Sequence, residues 1–185
     1  MKDLTITLLL FSFSIACTKG VPDEPINPPP PIDTISHIIE LGKTSVLSNG
    51  IPWNALLSAY YYTDDKSHFS LRGMVKQGGL DHLFLMQDIS SKEGLQTLER
   101  GVYWNASNGI PDALYLISLD GDQLLNSYRV DTTIANQYIE ILRYDSVTQI
   151  VEGRFQTFLE GPTTWSFLPD TVKMTEGKFH LKIKE

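Results

Sequence analysis

Apolar and polar residues alternate along most of the chain between residues 36 and 185, in short segments separated by turn-forming residues. The clearest segment is one in which Phe179, Leu181 and Ile183 alternate with polar residues. Side chains of a β-strand point alternately to opposite faces, so this period of two predicts strands with one buried face. Roughly ten short strands at spacings of about 8–12 residues predict an all-β domain, either an antiparallel β-sandwich or a partly closed barrel. The pattern leaves both architectures open.

Turn-forming dipeptides mark where the predicted strands begin and end. Asn49-Gly50 and Asp120-Gly121 are the strongest hairpin signals, because both residues of each pair tolerate the positive φ of a type I′ turn. Glu176-Gly177 is predicted to turn the chain between the last two strands. The predicted strands are residues 43–48, 51–62, 68–76, 82–89, 113–119, 123–130, 138–144, 150–159, 164–168, 171–175 and 178–184.

One segment has helical rather than alternating periodicity. In residues 91–101, Leu95 and Leu98 are spaced i, i+3, and Gly101 is a typical residue at which a helix stops. This segment is predicted to be the one short helix of the domain.

The N-terminus has the features of an export signal. Lys2 supplies a charged start, and residues 4–16 form a stretch of apolar and small hydroxyl residues. A stretch of this length matches the core of a secretory signal and is too short to span a bilayer core of about 30 Å. Cys17 follows Ser14-Ile15-Ala16, and this junction resembles a bacterial lipobox, where cleavage precedes a cysteine that becomes lipidated. The alternative is a conventional cleaved signal with an incidental cysteine.

A proline-rich segment follows the cysteine. Residues 18–31 contain six of the ten prolines of the chain, and such a run adopts extended polyproline II rather than packing into a domain. We therefore expect three parts: a lipoprotein signal peptide at 1–16, a lipidated cysteine with a proline-rich tether at 17–35, and a single β-rich domain at 36–185.

Composition and charge narrow the set of partners. The 185 residues carry 15 Lys and Arg against 22 Asp and Glu, a net charge of −7. No basic surface is therefore expected for nucleic acid or for anionic lipid, and membrane attachment is predicted through the N-terminal lipid only. The protein is expected to be exported and anchored to the outer membrane, and the sequence leaves open whether it faces the periplasm or the cell surface.

Catalytic and cofactor signatures are absent from the sequence. It contains no nucleophile elbow, no zinc-binding HExxH, no Walker A loop and no dinucleotide-binding glycine motif. His68 and His82, with Asp81 nearby, fall on neighbouring predicted strands, but no spacing enforces a metal site. We expect no catalytic residue, no metal and no cofactor, and hence a non-enzymatic binding or interaction module. A hydrolase with carboxylates assembled across strands is the less favoured alternative.

Aromatic residues are the most suggestive candidates for ligand binding. Trp53, Trp104 and Trp165, with several tyrosines, either fill the core or form a platform that stacks on sugar rings. Core packing is the favoured interpretation. The candidate residues of a platform are Trp104, Trp165 and Tyr103, and a platform there predicts a glycan-binding accessory module. A protein ligand is the other partner left open.

Short motifs near both ends of the domain are shared with a known group of proteins. Val151-Glu152-Gly153-Arg154-Phe155 follows a strand that ends in Tyr144-Asp145, and Met174-Thr175-Glu176-Gly177-Lys178-Phe179 begins the last hairpin. Together with Asn49-Gly50-Ile51-Pro52-Trp53, these motifs resemble those of small Bacteroidetes-type lipoproteins that carry an all-β domain of unknown function. The resemblance implies a lipid-anchored, all-β envelope protein, and it brings no activity or catalytic residue with it.

Two features of the domain have a structural interpretation. Gly153 is expected at a bulge or a close approach of neighbouring chains, and Gly177 is expected in a turn. Residues 77–135 match nothing in the lipoprotein group, and the sequence leaves open whether they complete the sheet or loop over it.

Overall fold

Strands make up nearly all of the regular structure, as the alternation predicts. A computed structural model describes residues 39–61, 66–101, 109–162 and 167–185, all within one compact unit, His37–Glu185. The described residues form eleven strands and no helix. The strands are β1 (Lys43–Ser48), β2 (Ile51–Pro52), β3 (Leu57–Tyr61), β4 (His68–Gln77), β5 (Leu80–Ser90), β6 (Gly94–Thr97), β7 (Asp112–Leu119), β8 (Gln123–Val130), β9 (Tyr138–Asp145), β10 (Ile150–Glu160) and β11 (Thr171–Lys184).

The strands form one mixed sheet that curls into a partly closed barrel. Hydrogen-bonded neighbours follow the order β2-β1-β11-β3-β4-β5-β7-β8-β10-β9-β6, and β10 also pairs with β11. The pairings therefore lead from β3 through β4, β5, β7, β8, β10 and β11 back to β3. The ring has two narrow corners, with Leu159 opposite Val130 in one and Ile183 opposite Ala59 in the other. The all-β prediction is confirmed, except that the β11–β3 pairing is parallel.

Aromatic side chains from alternate strand positions fill the interior of the barrel. Phe84 stacks on Phe155 with 5.5 Å between ring centroids, and Trp53 meets Phe84 edge-on at 6.0 Å. Phe155 in turn lies 6.4 Å from Phe179. Each fully buried ring of this kind stabilises the fold by about 1.5–3 kcal/mol relative to an exposed one. Trp53 is 6% exposed, so the prediction of core packing is confirmed for this tryptophan.

The two strongest hairpin signals form the predicted turns. Asn49 and Gly50 have φ angles of 51° and 79°, and Asp120 and Gly121 have φ angles of 50° and 77°. Positive φ at both central residues is what a type I′ turn requires. The Asn49 side chain also accepts a hydrogen bond from the backbone N–H of Lys173 at 2.9 Å, which ties the first turn to β11.

The predicted helix at 91–101 is wrong, because this segment contains β6 and otherwise irregular chain. Leu95 is 65% exposed whereas Leu98 is buried, so the two leucines do not share a face. The Gln96 side chain binds the backbone of Ser90 through both its oxygen, at 2.8 Å, and its nitrogen, at 2.9 Å. These hydrogen bonds and the pairing of β6 with β9 stabilise the extended conformation more than the i, i+3 spacing of two leucines favours a helix.

One long strand, β11, replaces the predicted final hairpin. Glu176-Gly177 does not turn the chain but forms a β-bulge, in which β11 has one residue more than β1 and β10 between paired positions. Glu176 takes the left-handed φ of 53° that bends the strand there. The prediction of a turn at Gly177 is therefore wrong. Gly153 lies at a register shift between β9 and β10, as predicted.

Two other predicted strands differ from the structure. The chain leaves the sheet between β2 and β3, so the strand predicted at 51–62 is interrupted at 53–56. At this interruption the Trp53 side chain turns into the core, and its backbone N–H donates to the Val46 carbonyl at 2.9 Å. Most of the strand predicted at 164–168 falls outside the described residues, and Phe167 and Leu168 lie in a turn.

Candidate functional site

The site residues singled out from the sequence fall outside the described part of the chain. Cys17, Tyr103, Trp104 and Trp165 all belong to segments beyond the described ranges. The lipidation site and the aromatic platform therefore remain predictions.

The two histidines considered for a metal site lie far apart. β4 and β5 form a hairpin in which His68 is opposite Ser90 at one end and His82 is opposite Val75 near the turn. At about 3.3 Å per strand residue, roughly 20 Å separates the two positions. No group of three or more His, Cys, Asp or Glu side chains placed to hold a metal ion occurs among the residues that the structure describes.

A pocket of about 290 Å³ opens at the end of the barrel that carries the β1–β2 and β4–β5 turns. Its apolar wall comes from Ile51, Ile117, Phe167, Leu168 and Val172. A cavity of about 150 Å³ holds benzene in another protein, so this end pocket has room for a molecule of one or two rings. No Asp, Glu, Lys or Arg occurs among the described residues that line it.

A hydrogen-bonded pair, Tyr115 and His82, lies in the lining of the end pocket, where the other described polar residues are Ser48, Asn49 and Gln77. The Tyr115 hydroxyl lies 2.8 Å from His82 Nδ1, and the two ring centroids are 5.8 Å apart. Burial lowers the pKa of His82 from its usual 6.5, against smaller opposing effects of the Gln77 backbone and the Asp81 charge. The imidazole is therefore neutral at pH 7. In the tautomer with its proton on Nε2, the ring accepts a hydrogen bond at Nδ1 from the Tyr115 hydroxyl.

Trp53 lines the same pocket beside Tyr115. Its ring centroid is 6.3 Å from that of Tyr115, and its Nε1 is buried without an acceptor among the described residues. The indole N–H lowers the pKa of Tyr115, against the larger effect of burial, which raises it. Trp53 and Tyr115 thus form one aromatic side of the end pocket.

Glycine and a tyrosine hydroxyl hold the walls of the end pocket in place. At Gly73 a Cβ would stand 3.0 Å from Cη2 of Trp53, so the absence of a side chain lets the indole lie against β4. On the opposite side, the Tyr128 hydroxyl donates to the Pro169 carbonyl at 2.8 Å. This bond fixes the segment that carries Phe167 along the rim of the pocket.

Two larger openings lie at the edges of the sheet. One, of about 420 Å³, is bounded by β1 and the segment after β2, and the other, of about 390 Å³, lies next to β6. Glu176 lines the first, and Glu99 and Arg100 line the second. Neither has a hydrogen-bonded histidine–tyrosine pair among its described lining residues, so the end pocket is the better candidate site.

The sequence contained one signal for this site that the prediction did not use. His82 occupies an inward position of β5, in the same row as Phe84 and Met86. A titratable residue in an otherwise apolar row indicates a polar group inside the barrel. Nothing in the sequence indicates that Tyr115 and Ile117 lie beside His82, because the residues that face each other across β5 and β7 depend on the register of the two strands.

Comparison with known proteins identifies no relative of this chain. No protein-family model matches the sequence. No curated protein and no solved structure matches it either. Among the residues that the structure describes, none belongs to a helix long and apolar enough to pass through a bilayer.

Proposed function

We propose that this chain is a lipid-anchored protein of the cell envelope whose barrel binds a small ligand without catalysing a reaction. The observation that supports binding is the end pocket, where an apolar wall surrounds the hydrogen-bonded pair of Tyr115 and His82. Small-molecule sites in proteins have this composition: a mostly apolar lining with a few polar groups that orient the ligand.

The anchor in this proposal rests on the sequence. Residues 4–16 match a signal core, Cys17 follows at the cleavage position, and residues 18–31 form a proline-rich tether. Each buried CH₂ of an acyl chain contributes about 0.8 kcal/mol, so a multiply acylated cysteine holds a protein at a bilayer almost permanently. The proposed location is the outer membrane, and the barrel itself is then free to bind a ligand.

The test is retention of a small molecule from an envelope extract of the expressing bacterium. The mature chain from residue 17 with Cys17→Ala needs no detergent, so the end pocket stays available to the extract. Native mass spectrometry then measures any bound mass. In the variant Ser48→Trp, a large ring is added at a partly exposed position of the pocket lining. The matched control is Ser118→Trp, a partly exposed strand serine that does not line the pocket.

We expect the parent chain and Ser118→Trp to retain the same mass and Ser48→Trp to lose it. Equal retention by Ser48→Trp would place binding elsewhere, and no retained mass in the parent chain would contradict the proposal. The glycan-binding alternative makes a different prediction. Binding to immobilised oligosaccharides would then be lost in Trp104→Ala or Trp165→Ala and kept in Ser48→Trp.

A further inference from the structure

We infer that the end pocket takes an uncharged molecule of one or two flat rings with one polar group, and that protonation of His82 weakens its binding. This inference rests on the proposed binding function and names the class of ligand. It follows from the size of the pocket, the absence of charged side chains from its described lining, and the place of His82 within that lining.

Size and charge define the body of the ligand. A volume of about 290 Å³ is about twice that of a cavity that holds benzene, which suits two fused rings. Aromatic faces of Trp53 and Tyr115 and the aliphatic Ile117 offer flat apolar contact. A charged ligand would lose its hydration without meeting an opposite charge on the described lining, so a charged group is selected against.

Polar groups define the orientation of the ligand. Tyr115 is almost fully buried and holds the imidazole of His82 by a 2.8 Å hydrogen bond. His82 itself is partly exposed toward the pocket, so it meets the polar group of the ligand directly. Tyr115 is thus a positioning residue, and His82 is the binding residue.

The groups that face His82 leave it neutral in the bound state. From β7 it meets the Tyr115 hydroxyl, from β4 the Gln77 backbone, and on its own strand it feels the charge of Asp81. Lys76 and Asp120 lie near the same turn and form an ion pair with each other at 3.2 Å. A ligand that covers the pocket removes water from the imidazole, which further disfavours the protonated ring. Binding is therefore weaker when the ring is protonated.

The probes that test this inference are 2-naphthol, which is uncharged, and naphthalene-2-sulfonate, which has the same rings and a fixed negative charge. Isothermal titration calorimetry of the mature Cys17→Ala chain measures Kd from about pH 7.5 to about pH 5. We expect 2-naphthol to bind and the sulfonate not to bind. The Kd for 2-naphthol should rise by up to about tenfold for each pH unit below the His82 midpoint.

Variants separate a binding role of His82 from a structural one. His82→Gln should bind 2-naphthol with a Kd that no longer changes with pH, and Tyr115→Phe should weaken binding at neutral pH by about tenfold. The matched control is Tyr144→Phe, which removes a hydroxyl bonded to Tyr61 at 2.9 Å in another part of the barrel. It should bind as the parent chain does.

A second measurement uses the parent binding site without a variant, so it tests the inference even if His82→Gln fails to fold. Nuclear magnetic resonance follows the His82 ring protons through the pH range with and without saturating 2-naphthol, and the midpoint should fall when the probe is bound, by linkage. Equal binding of the sulfonate, or an unchanged midpoint with 2-naphthol bound, would overturn the ligand class. If an extract molecule is retained in the end pocket while 2-naphthol does not bind, the inference fails and the proposed function stands.

Discussion

Phe155 lies directly opposite Gly177 across β10 and β11, with its ring where a side chain of residue 177 would stand. A Cβ at Gly177 would be 2.6 Å from two of the Phe155 ring carbons and 2.7 Å from a third. The same relationship is repeated two residues along, where Phe179 lies opposite Gly153. Each aromatic ring thus covers a glycine of the partner strand. This arrangement explains why both Gly-x-Phe motifs occur and why neither glycine needs to be in a turn.

Replacing the facing phenylalanine by leucine should restore more stability to Gly177→Ala than to Gly153→Ala. At Gly177 the nearest atoms all belong to the Phe155 side chain, whereas at Gly153 the backbone carbonyl of Glu140 is also 2.5 Å from a Cβ. We expect Gly177→Ala and Gly153→Ala each to lower the free energy of unfolding by about 1–3 kcal/mol. Adding Phe155→Leu should recover part of the loss at Gly177.

The matched double variant is Gly153→Ala with Phe179→Leu. A backbone atom moves less readily than a side chain, so little recovery is expected there. Urea unfolding of the four variants, with the two Phe→Leu changes measured alone, gives both coupling energies. Equal couplings at the two sites would show that the Glu140 carbonyl does not contribute to the strain.

Gln137 should be the most costly glutamine to replace. Its buried side chain donates to the Asp131 carbonyl at 2.5 Å and accepts from the Phe158 N–H at 2.8 Å and the Thr157 hydroxyl at 3.1 Å. Gln137→Met keeps the length of the side chain and leaves these groups unpaired, so we expect a loss of about 2–4 kcal/mol in the free energy of unfolding. Gln156 is partly exposed and makes one long hydrogen bond, to the Asn136 carbonyl at 3.3 Å, so Gln156→Met should change the free energy of unfolding by less than about 0.5 kcal/mol. Similar losses in both variants would contradict a special role for the buried amide.

Acid should destabilise the barrel through His82 before it acts on the carboxylates. Burial lowers the pKa of His82 in the folded protein, so below about pH 6.5 the unfolded chain binds a proton there that the folded chain does not. The free energy of unfolding therefore decreases as the pH falls below about 6.5. Thr133 lowers the pKa of Asp131 by hydrogen bonding, and that stability is lost at more acidic pH.

Chemical denaturation at several pH values measures this dependence. His82→Gln should flatten the curve just below about pH 6.5, and His68→Gln serves as the control for the loss of a histidine. A parent chain whose stability is constant over this range would show that His82 titrates alike in both states.

Cys17→Ala tests the proposed anchor. In the expressing bacterium, we expect the parent protein in the membrane fraction and the variant in the soluble fraction, because the proposed attachment is the lipid on Cys17 and a net charge of −7 does not favour binding to anionic lipid. Ser14→Ala, which keeps the cysteine, is the control. A variant that stays with the membrane would show that attachment does not depend on the cysteine. Protease treatment of intact cells then reports whether the barrel faces the periplasm or the outside.

The strand boundaries were largely predictable because alternation and turn residues are local signals. β1 and β8 match their predicted residues, and both type I′ turns occur where Asn-Gly and Asp-Gly predict them. The predictions that are wrong concern segments whose hydrogen-bonding partners are distant in the sequence. β6 forms because β9 and Ser90 supply its hydrogen bonds, and no local pattern within 91–101 contains that information.

The candidate site was much less predictable than the fold. Tyr115 and His82 meet because β5 and β7 pair in one register, with Phe84 opposite Tyr115 and His82 opposite Ile117. A shift by one residue would have turned one of the two side chains to the outside. The sequence identifies His82 as a polar residue in an apolar row, but strand order and register decide which side chains surround it.

Strand β11 has a consequence for when the protein folds. It pairs with β10, with β1 and, through Ile183 and Ala59, with β3. The ring of strands therefore cannot close until residues 171–184 have paired with β10 and β3. Contacts between residues so distant along the chain form slowly, on a scale of milliseconds to seconds. A chain without these residues could still form the consecutive hairpins β4–β5 and β7–β8, but it could not close the ring, so β11 decides whether the barrel exists at all.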